Sequence, residues 1–409
     1  GAANTAVGKA ALDANTTGNS NVAVGQDAMA ANTTGAGNIG IGVGALRHNT
    51  TAGEVTGVGG GCLAANTSGA LNTGYGAQSL AGCTTGSSNV AIGGYAMQAC
   101  TTGVTNVAVG ANALRASTTA HYNTAIGEHS LRGCTTGEYN TAVGQLSMGG
   151  ATLTGNFNTA VGRSAGNSLT SGSSNVFMGI NTGRLTVAGN NNTFVGESAG
   201  ETNTSGTENT YIGWHAGRTS GDYSGGLNMT TGSHNTYIGT GCTGSANNNI
   251  GEIVLGRSIL GAGNNTFTVG VTYSSTYRRT LDLSSSATTF TNPSDERLKE
   301  NITDSSVGLN FINDLRPITY TWKAKKDVPT DMSQYEENST VPCSGTGKTN
   351  YGFVAQEVKT AIDNYNVADG QAIHTVDPDG TQQLSPAELV PMLVKAVQEL
   401  SARITALES

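Results

Sequence analysis

A five-residue phrase, Asn4-Thr-Ala-Val-Gly8, returns every 17 residues along the first part of the chain. Its closing glycines stand at Gly8, Gly25, Gly42, Gly59, Gly76, Gly93, Gly110, Gly127 and Gly144, then, after one 18-residue step, at Gly162, Gly179, Gly196 and Gly213. A fixed period of this length makes each repeat one turn of a stacked solenoid, because no single repeat can bury its own apolar face. Gly239, Val254-Leu-Gly256 and Thr268-Val-Gly270 continue the pattern to sixteen anchors. At about 4.8 Å per turn the rod is roughly 75 Å long.

One turn reads N-x-A-V-G-x-x-A-L-x-x-N-T-T-G-x-x. The first five positions alternate as a strand does and stop at glycine. The A-L pair is a second short apolar contact, and T-T-G is a corner whose glycine is free to take a positive φ. Two short strands and two glycine-bearing corners per turn of a parallel β-roll are therefore expected. Position four is a nearly unbroken apolar ladder running from Val7, Val24, Ile41 and Val58 to Val195 and Ile212. Stacking is expected to bury every member.

Positions three and nine trade bulk along the rod. Up to Gly144 the third is Ala or Gly and the ninth Leu or Met, as in Leu12, Met29 and Leu46. Beyond it the ninth becomes Gly166, Gly183, Gly200 and Gly217, and the third becomes Phe177, Phe194, Tyr211 and Tyr237, with Ala160 the exception at the junction. A core holds its volume nearly constant, so the two positions are inferred to face one compartment.

The interval from Gly213 to Gly239 is 26 residues, nine longer than the period. Extra residues in a repeat emerge as surface loops and often carry binding. Asp222, Tyr223, Leu227 and Asn228 are accordingly candidate receptor-binding residues, with a tolerated decoration as the other reading.

The chain is poor in charge, 12 % Asp, Glu, Lys and Arg, and its net charge is −8. That balance argues against nucleic acid or an anionic membrane as partner. No stretch reaches the ~18–20 apolar residues that span a bilayer, and membrane insertion is not expected. The chain opens in mid-repeat without Met, which reads as a fragment or processed product. Cys83, Cys100 and Cys134 replace the second Asn of the turn and read as ladder fillers. Cys83 and Cys100, in adjacent turns, lie within reach of a bond. Without a CxxC pair a zinc site is not expected, and no residue set calls for a cofactor. The Asn at position one is expected to bond neighbouring backbone or stack as an amide ladder. The Thr-Thr corners form a hydroxyl row that corner chemistry explains by itself.

After Gly270 the period ends. Residues 271–293 are rich in Thr, Ser and Tyr and read as a β-rich connector between the shaft, 1–270, and a charged module, 294–409. Ser385-Pro-Ala-Glu388 reads as a capping box opening a final helix. Leu393, Val397, Leu400, Ile404 and Leu407 follow at coiled-coil spacing, and Pro391 is expected to kink or interrupt its first turns.

Three ordered motifs, Ser294-Asp-Glu-Arg-Leu-Lys299-Glu-Asn-Ile302, Tyr351-Gly-Phe-Val-Ala-Gln-Glu-Val358 and Leu389-Val-Pro-Met-Leu-Val-Lys-Ala-Val-Gln-Glu-Leu400, resemble the C-terminal intramolecular chaperone of phage tailspikes and fibres. The resemblance implies that 294–409 trimerises the fibre as it folds. It also implies release by a Ser–Lys mechanism, with Ser294 as nucleophile and Lys299 as base. A serine hydroxyl attacks once a nearby base takes its proton, and a desolvated lysine can serve. Five residues along a helix set two side chains about 140° apart, so the dyad needs Ser294 outside the helix or a lysine from another subunit. A helix N-cap at Ser294 fits the same spacing. The shaft resembles both the β-roll heads of trimeric autotransporter adhesins and the repeat shafts of phage tail fibres.

The expected fold is mainly β: a trimeric parallel β-roll of 17-residue turns, then a small α+β chaperone ending in a coiled-coil helix. The expected protein is a homotrimeric tail fibre or spike on the virion tail, extracellular, meeting a carbohydrate receptor on the host surface. A bacterial trimeric adhesin on the cell surface is the alternative. Any enzymatic activity is at most a single self-cleavage, since paired carboxylates of a glycosidase are missing from the sparse shaft acids Asp13, Asp27, Glu54, Glu128 and Glu138.

Overall fold

The computed structural model describes residues 1–218, 228–271, 278–283, 296, 300–330, 332, 334–343, 348–367, 373–376 and 380–408. The chain divides into two compact units, 1–293 and 294–409.

In the first unit each turn contributes one three-residue strand, from β1 (Thr5–Val7) through β14 (Thr236–Ile238), followed by the longer β15 (Ile253–Arg257) and β16 (Thr266–Val271). All sixteen pair in parallel with like positions opposite: Ala6 faces Ala23, Ala23 faces Gly40, and Val254 faces Thr268. Register survives the irregular steps, since Ala142 faces Ala160 and Ile212 faces Ile238. The additional residues are therefore absorbed outside the strands. β17 (Arg278–Asp282) runs antiparallel to β16. The sequence period thus translates directly into a parallel β-solenoid.

Three expectations about the turn are corrected. There is one strand per turn, because the A-L pair is not extended. Ala28 and Met29 are adjacent and both fully buried, which a strand, alternating its faces, cannot achieve. The chain manages it by placing position nine in the left-handed region, with φ of 52° at Met29, 53° at Leu46 and 52° at Leu63. Nor does the corner glycine use a positive φ. A Cβ on Gly35 would lie 2.5 Å from Asn32 Oδ1, so glycine is there for close approach.

The third correction concerns the apolar ladder. Position three points inward and, from the second turn (Ala23) onward, is buried, whereas position four points outward. Its exposure reaches 59 % at Tyr75, and Val7, Ile41, Ile92, Ile126, Met178, Ile212 and Ile238 are also exposed, whereas Val24, Val58, Val109, Val143, Val161 and Val195 are half-buried. The interior is too narrow for a large group at both positions. It is filled from position three on one side and position nine on the other, in the shared compartment inferred from sequence. A Cβ on Gly40 would lie 2.8 Å from Met29 Cγ, and one on Gly183 2.7 Å from Phe177 Cε1. Where the aromatics take over, Phe177, Phe194, Tyr211 and Tyr237 form a buried stack with centroids 5.4, 4.7 and 4.8 Å apart.

Two buried amide ladders close the corners. At position one, Asn21 Oδ1 accepts the Asn38 N–H at 2.9 Å, and Asn21 Nδ2 donates to the Gly35 carbonyl at 2.9 Å. At position twelve, Asn49 Nδ2 donates to Asn32 Oδ1 and Asn66 Nδ2 to Asn49 Oδ1, both at 2.9 Å. Cys83 interrupts this second ladder and leaves Asn66 Oδ1 buried without a partner. Its thiol keeps the other half of the asparagine's role, donating to the Gly86 carbonyl at 3.5 Å. The first ladder passes to Glu252, whose N–H donates to Asn235 Oδ1 at 2.9 Å. The fully buried Glu252 carboxylate accepts from Tyr237 Oη at 2.8 Å, Asn249 Nδ2 at 2.6 Å and the Gly263 N–H at 2.8 Å.

The second unit is α+β. Helices α1 (Leu309–Asp314), α2 (Ala355–Asn364) and α3 (Val390–Glu408) surround a core of Phe311, Leu315, Val358, Ile362, Ile373 and Leu389. Two small antiparallel pairs accompany them: β18 (Ile318–Tyr320) with β19 (Asn350–Gly352), and β20 (His374–Val376) with β21 (Gln382–Leu384). The capping box at Ser385 does not form. Pro386–Leu389 is a 3₁₀ turn, and Ser385 makes no side-chain capping bond. The α-helix proper begins only at Val390, next to Pro391. The proline falls in the first turn of α3, where its missing N–H has no intrahelical acceptor to lose.

Candidate functional surfaces

The shaft offers chemistry on its outside rather than in a cleft. Burial pushes the Cys134 and Cys242 thiols up to about 12, so the reactive thiolate is scarce at these two at neutral pH. Cys83 is raised by its hydrogen bond to Cys100 and by burial. The Thr hydroxyls of position thirteen are taken by backbone, as in Thr33 Oγ1 to the Thr50 carbonyl at 3.0 Å and Thr101 Oγ1 to Thr118 at 3.0 Å. Besides the exposed stack of Tyr122, Tyr139 and Phe157, whose centroids are 4.8 and 5.2 Å apart, the shaft turns outward the position-four ladder: one apolar side chain per turn, continued by half-buried Val22, Val90 and Val107 at position two. Monomeric proteins seldom leave so continuous an apolar stripe in water.

In the second unit the motifs divide into inward and outward parts. Phe353 and Val358 of the Tyr351–Val358 motif enter the core, and Glu357 receives Arg316 through two guanidinium nitrogens, Nε at 3.0 Å and Nη2 at 2.5 Å. Leu389, just before α3, and Met392 and Ala396 within it face inward. Glu399, farther along the helix, accepts the Leu309 N–H at 2.9 Å and so caps α1. Leu393, Val397, Leu400, Ile404 and Leu407 lie on the exposed side of α3. A cavity of about 810 Å³ opens between the sheets, lined by Tyr320, Trp322, Met332, Phe353 and Leu384. Gln334 Oε1, buried in its lining, has no partner.

Ser294 and Lys299, the nucleophile and base expected from sequence, lie outside the described residues, as do Asp222, Tyr223 and Leu227 of the long turn. Asn228 is described and exposed, beside the buried Met229. Among the described residues no group of three or more His, Cys, Asp or Glu could hold a metal ion, and no helix is long and apolar enough to cross a membrane. The outward ladder was missed in the sequence. Its signal was the pairing of a small third position with a large fourth.

Residues 294–366 match the protein family described as chaperone of endosialidase. The matched segment begins at Ser294 and contains the first two of the three motifs. No curated protein and no solved structure is significantly similar to the chain.

Proposed function

We propose that the chain is a trimeric bacteriophage tail-fibre or tailspike protein that attaches to the host surface, with a C-terminal chaperone that assembles three chains and then releases itself. The observation that carries this reading is the outward apolar ladder. A rod with an outward-facing apolar group on every turn, half-buried at the valines and exposed at the larger residues, gains most by packing against copies of itself, and three parallel rods satisfy all their ladders at once. The endosialidase-chaperone match at 294–366 supports the second half of the proposal. The exposed face of α3 supplies a second apolar seam of the kind that joins helices of separate chains.

A slow, non-local β topology benefits from such a clamp, because loop-closure entropy precedes its contacts and unpaired edges aggregate. Ser294 Oγ attacks the Pro293 carbonyl carbon as Lys299 takes its proton, and the Pro293–Ser294 peptide bond breaks as that proton passes to the Ser294 nitrogen. Water hydrolyses the resulting ester once per molecule, leaving the shaft as the mature fibre. The mature shaft meets a carbohydrate receptor on the host. A bacterial trimeric adhesin shares the shaft's phrase, but the match at 294–366 favours the phage reading.

The test is the denatured mass of freshly expressed chain beside Ser294→Ala. A wild-type product split at Ser294 and an intact variant are expected. Cleavage persisting in the variant, or two intact products, would remove self-release from the account and leave the module a permanent part of the fibre.

A further inference from the structure

Position ten carries Arg184, Glu201 and Arg218 in three successive turns. Glu201, its side chain 7 % exposed, holds both arginines. Its Oε1 takes Arg184 through Nη2 at 2.7 Å and Nε at 2.9 Å, and its Oε2 pairs with Arg218 Nη1 at 2.5 Å. Both arginine side chains stay partly open, 40 % and 32 %. Arg218 Nη1 also lies 3.4 Å from His215 Nε2, and the His215 ring stacks on Trp214 with centroids 3.7 Å apart and planes 14° apart. Trp214 is 40 % exposed. These side chains form one connected patch, anchored on a buried carboxylate, where the chain enters its one 26-residue turn.

We infer that this patch is a saccharide-binding site that takes a neutral sugar ring against Trp214 and bonds its hydroxyls through Arg184 and Arg218. A structural staple accounts for Arg184–Glu201–Arg218 but not for an exposed indole backed by an imidazole. Indole rings bind sugars because the ring's C–H face is apolar and faintly positive, and the aromatic face is negative. A guanidinium has five N–H donors in a rigid fork, more than Glu201 and His215 take up. The arginines are already immobilised by Glu201, so little side-chain entropy is lost on binding.

Charge decides the class of sugar. Arg184 and Arg218 are offset by Glu201 and by the exposed Glu197 of the neighbouring turn, which acts on His215. Burial, aided by Arg218, holds His215 below its usual range, so the imidazole adds no charge at neutral pH. With the formal charges cancelling, the patch has no pull for an acidic sugar. The site deepens the host-attachment reading and rests on it for its biological use.

The test uses the full chain on an array of neutral and uronate-containing oligosaccharides. Titration of a bound neutral oligosaccharide follows in a Trp322→Phe background, which leaves Trp214 as the single tryptophan of the two. Neutral oligosaccharides should bind and shift the Trp214 emission. Trp214→Ala should weaken binding at least about tenfold with an unchanged melting midpoint, since the side chain is exposed. No binding to any neutral glycan, binding indifferent to Trp214→Ala, or preference for the uronates would each overturn the site. Adsorption to a panel of bacterial cells is scored alongside. Cell binding retained by Trp214→Ala removes this site and keeps attachment, whereas wild-type chain that adsorbs to no strain counts against attachment and leaves the glycan result to judge the site.

Discussion

Phe177 lies between two glycines of position nine, Gly166 of the preceding turn and Gly183 of its own, and a Cβ on either would touch its ring. Gly183 has φ +56°, the conformation that Leu46 adopts at the same place in an earlier turn. The backbone therefore tolerates a leucine there, and the ring alone forbids it. Phe177→Ala should cost about 3–5 kcal/mol by leaving a cavity, and Gly183→Leu alone should destabilise by overpacking. Together they rebuild the earlier pattern, so the double variant should recover about 1–3 kcal/mol relative to the sum. Denaturant midpoints of the four chains check this, and strict additivity would show that the two positions do not share a compartment. Glu252 makes a second prediction. Burial raises its pKa, so between the ordinary glutamate range and the raised folded value the native state binds more protons than the unfolded one. Stability then falls as pH rises through that window and is greatest below it. The melting midpoint of the chain should rise on acidification from neutrality toward the ordinary glutamate range, and Glu252→Gln should flatten that slope. The same variant should also lower the midpoint, because an amide NH₂ would face one of the donors that Glu252 now accepts. An unchanged slope would mean that Glu252 does not govern it.

The strand is where reading the sequence succeeded and where it failed. Sixteen rungs and their register were legible because like residues recur at like positions, and parallel stacking places each on its copy. The shared compartment of positions three and nine was legible for the same reason, through the exchange of Leu for Gly against Ala for Phe. Which face of the strand turns inward was not legible. Alternation separates two faces without naming the inner one, and the larger residue suggested burial. The actual interior accepts Ala or Gly opposite Leu and sends Val7, Ile92 and Ile126 outside. The left-handed leucines were hidden too, since their conformation is set by closing the turn and not by local preference. Ser294 and Lys299 were legible only through motif resemblance and lie outside the described residues. The outward ladder carries the element-scale prediction. Ile92→Asp with Ile126→Asp touches side chains already exposed in one chain, so each rod should keep its β-type circular dichroism. The pair should nonetheless abolish or weaken association, read as loss of the trimer on sedimentation. Unaltered assembly would place the interface on another face.

At the scale of the molecule, composition and architecture meet in one argument. A chain with only 36 % hydrophobic residues and 59 glycines fills a narrow core with one large group per turn, set against Ala or Gly, and with two amide ladders. It leaves a second set of apolar side chains facing outward in both units, on position four of the rod and along α3. Association would convert those groups into core, and a C-terminal module that gathers three chains would set their register before the rods zip together. The most direct measurement is the native mass of the Ser294→Ala chain, which self-cleavage cannot shorten, by sedimentation or native mass spectrometry. The account predicts a single species of three chains of 41.3 kDa each. A stable, soluble single chain, with its ladder and helix seam left in water, would contradict it.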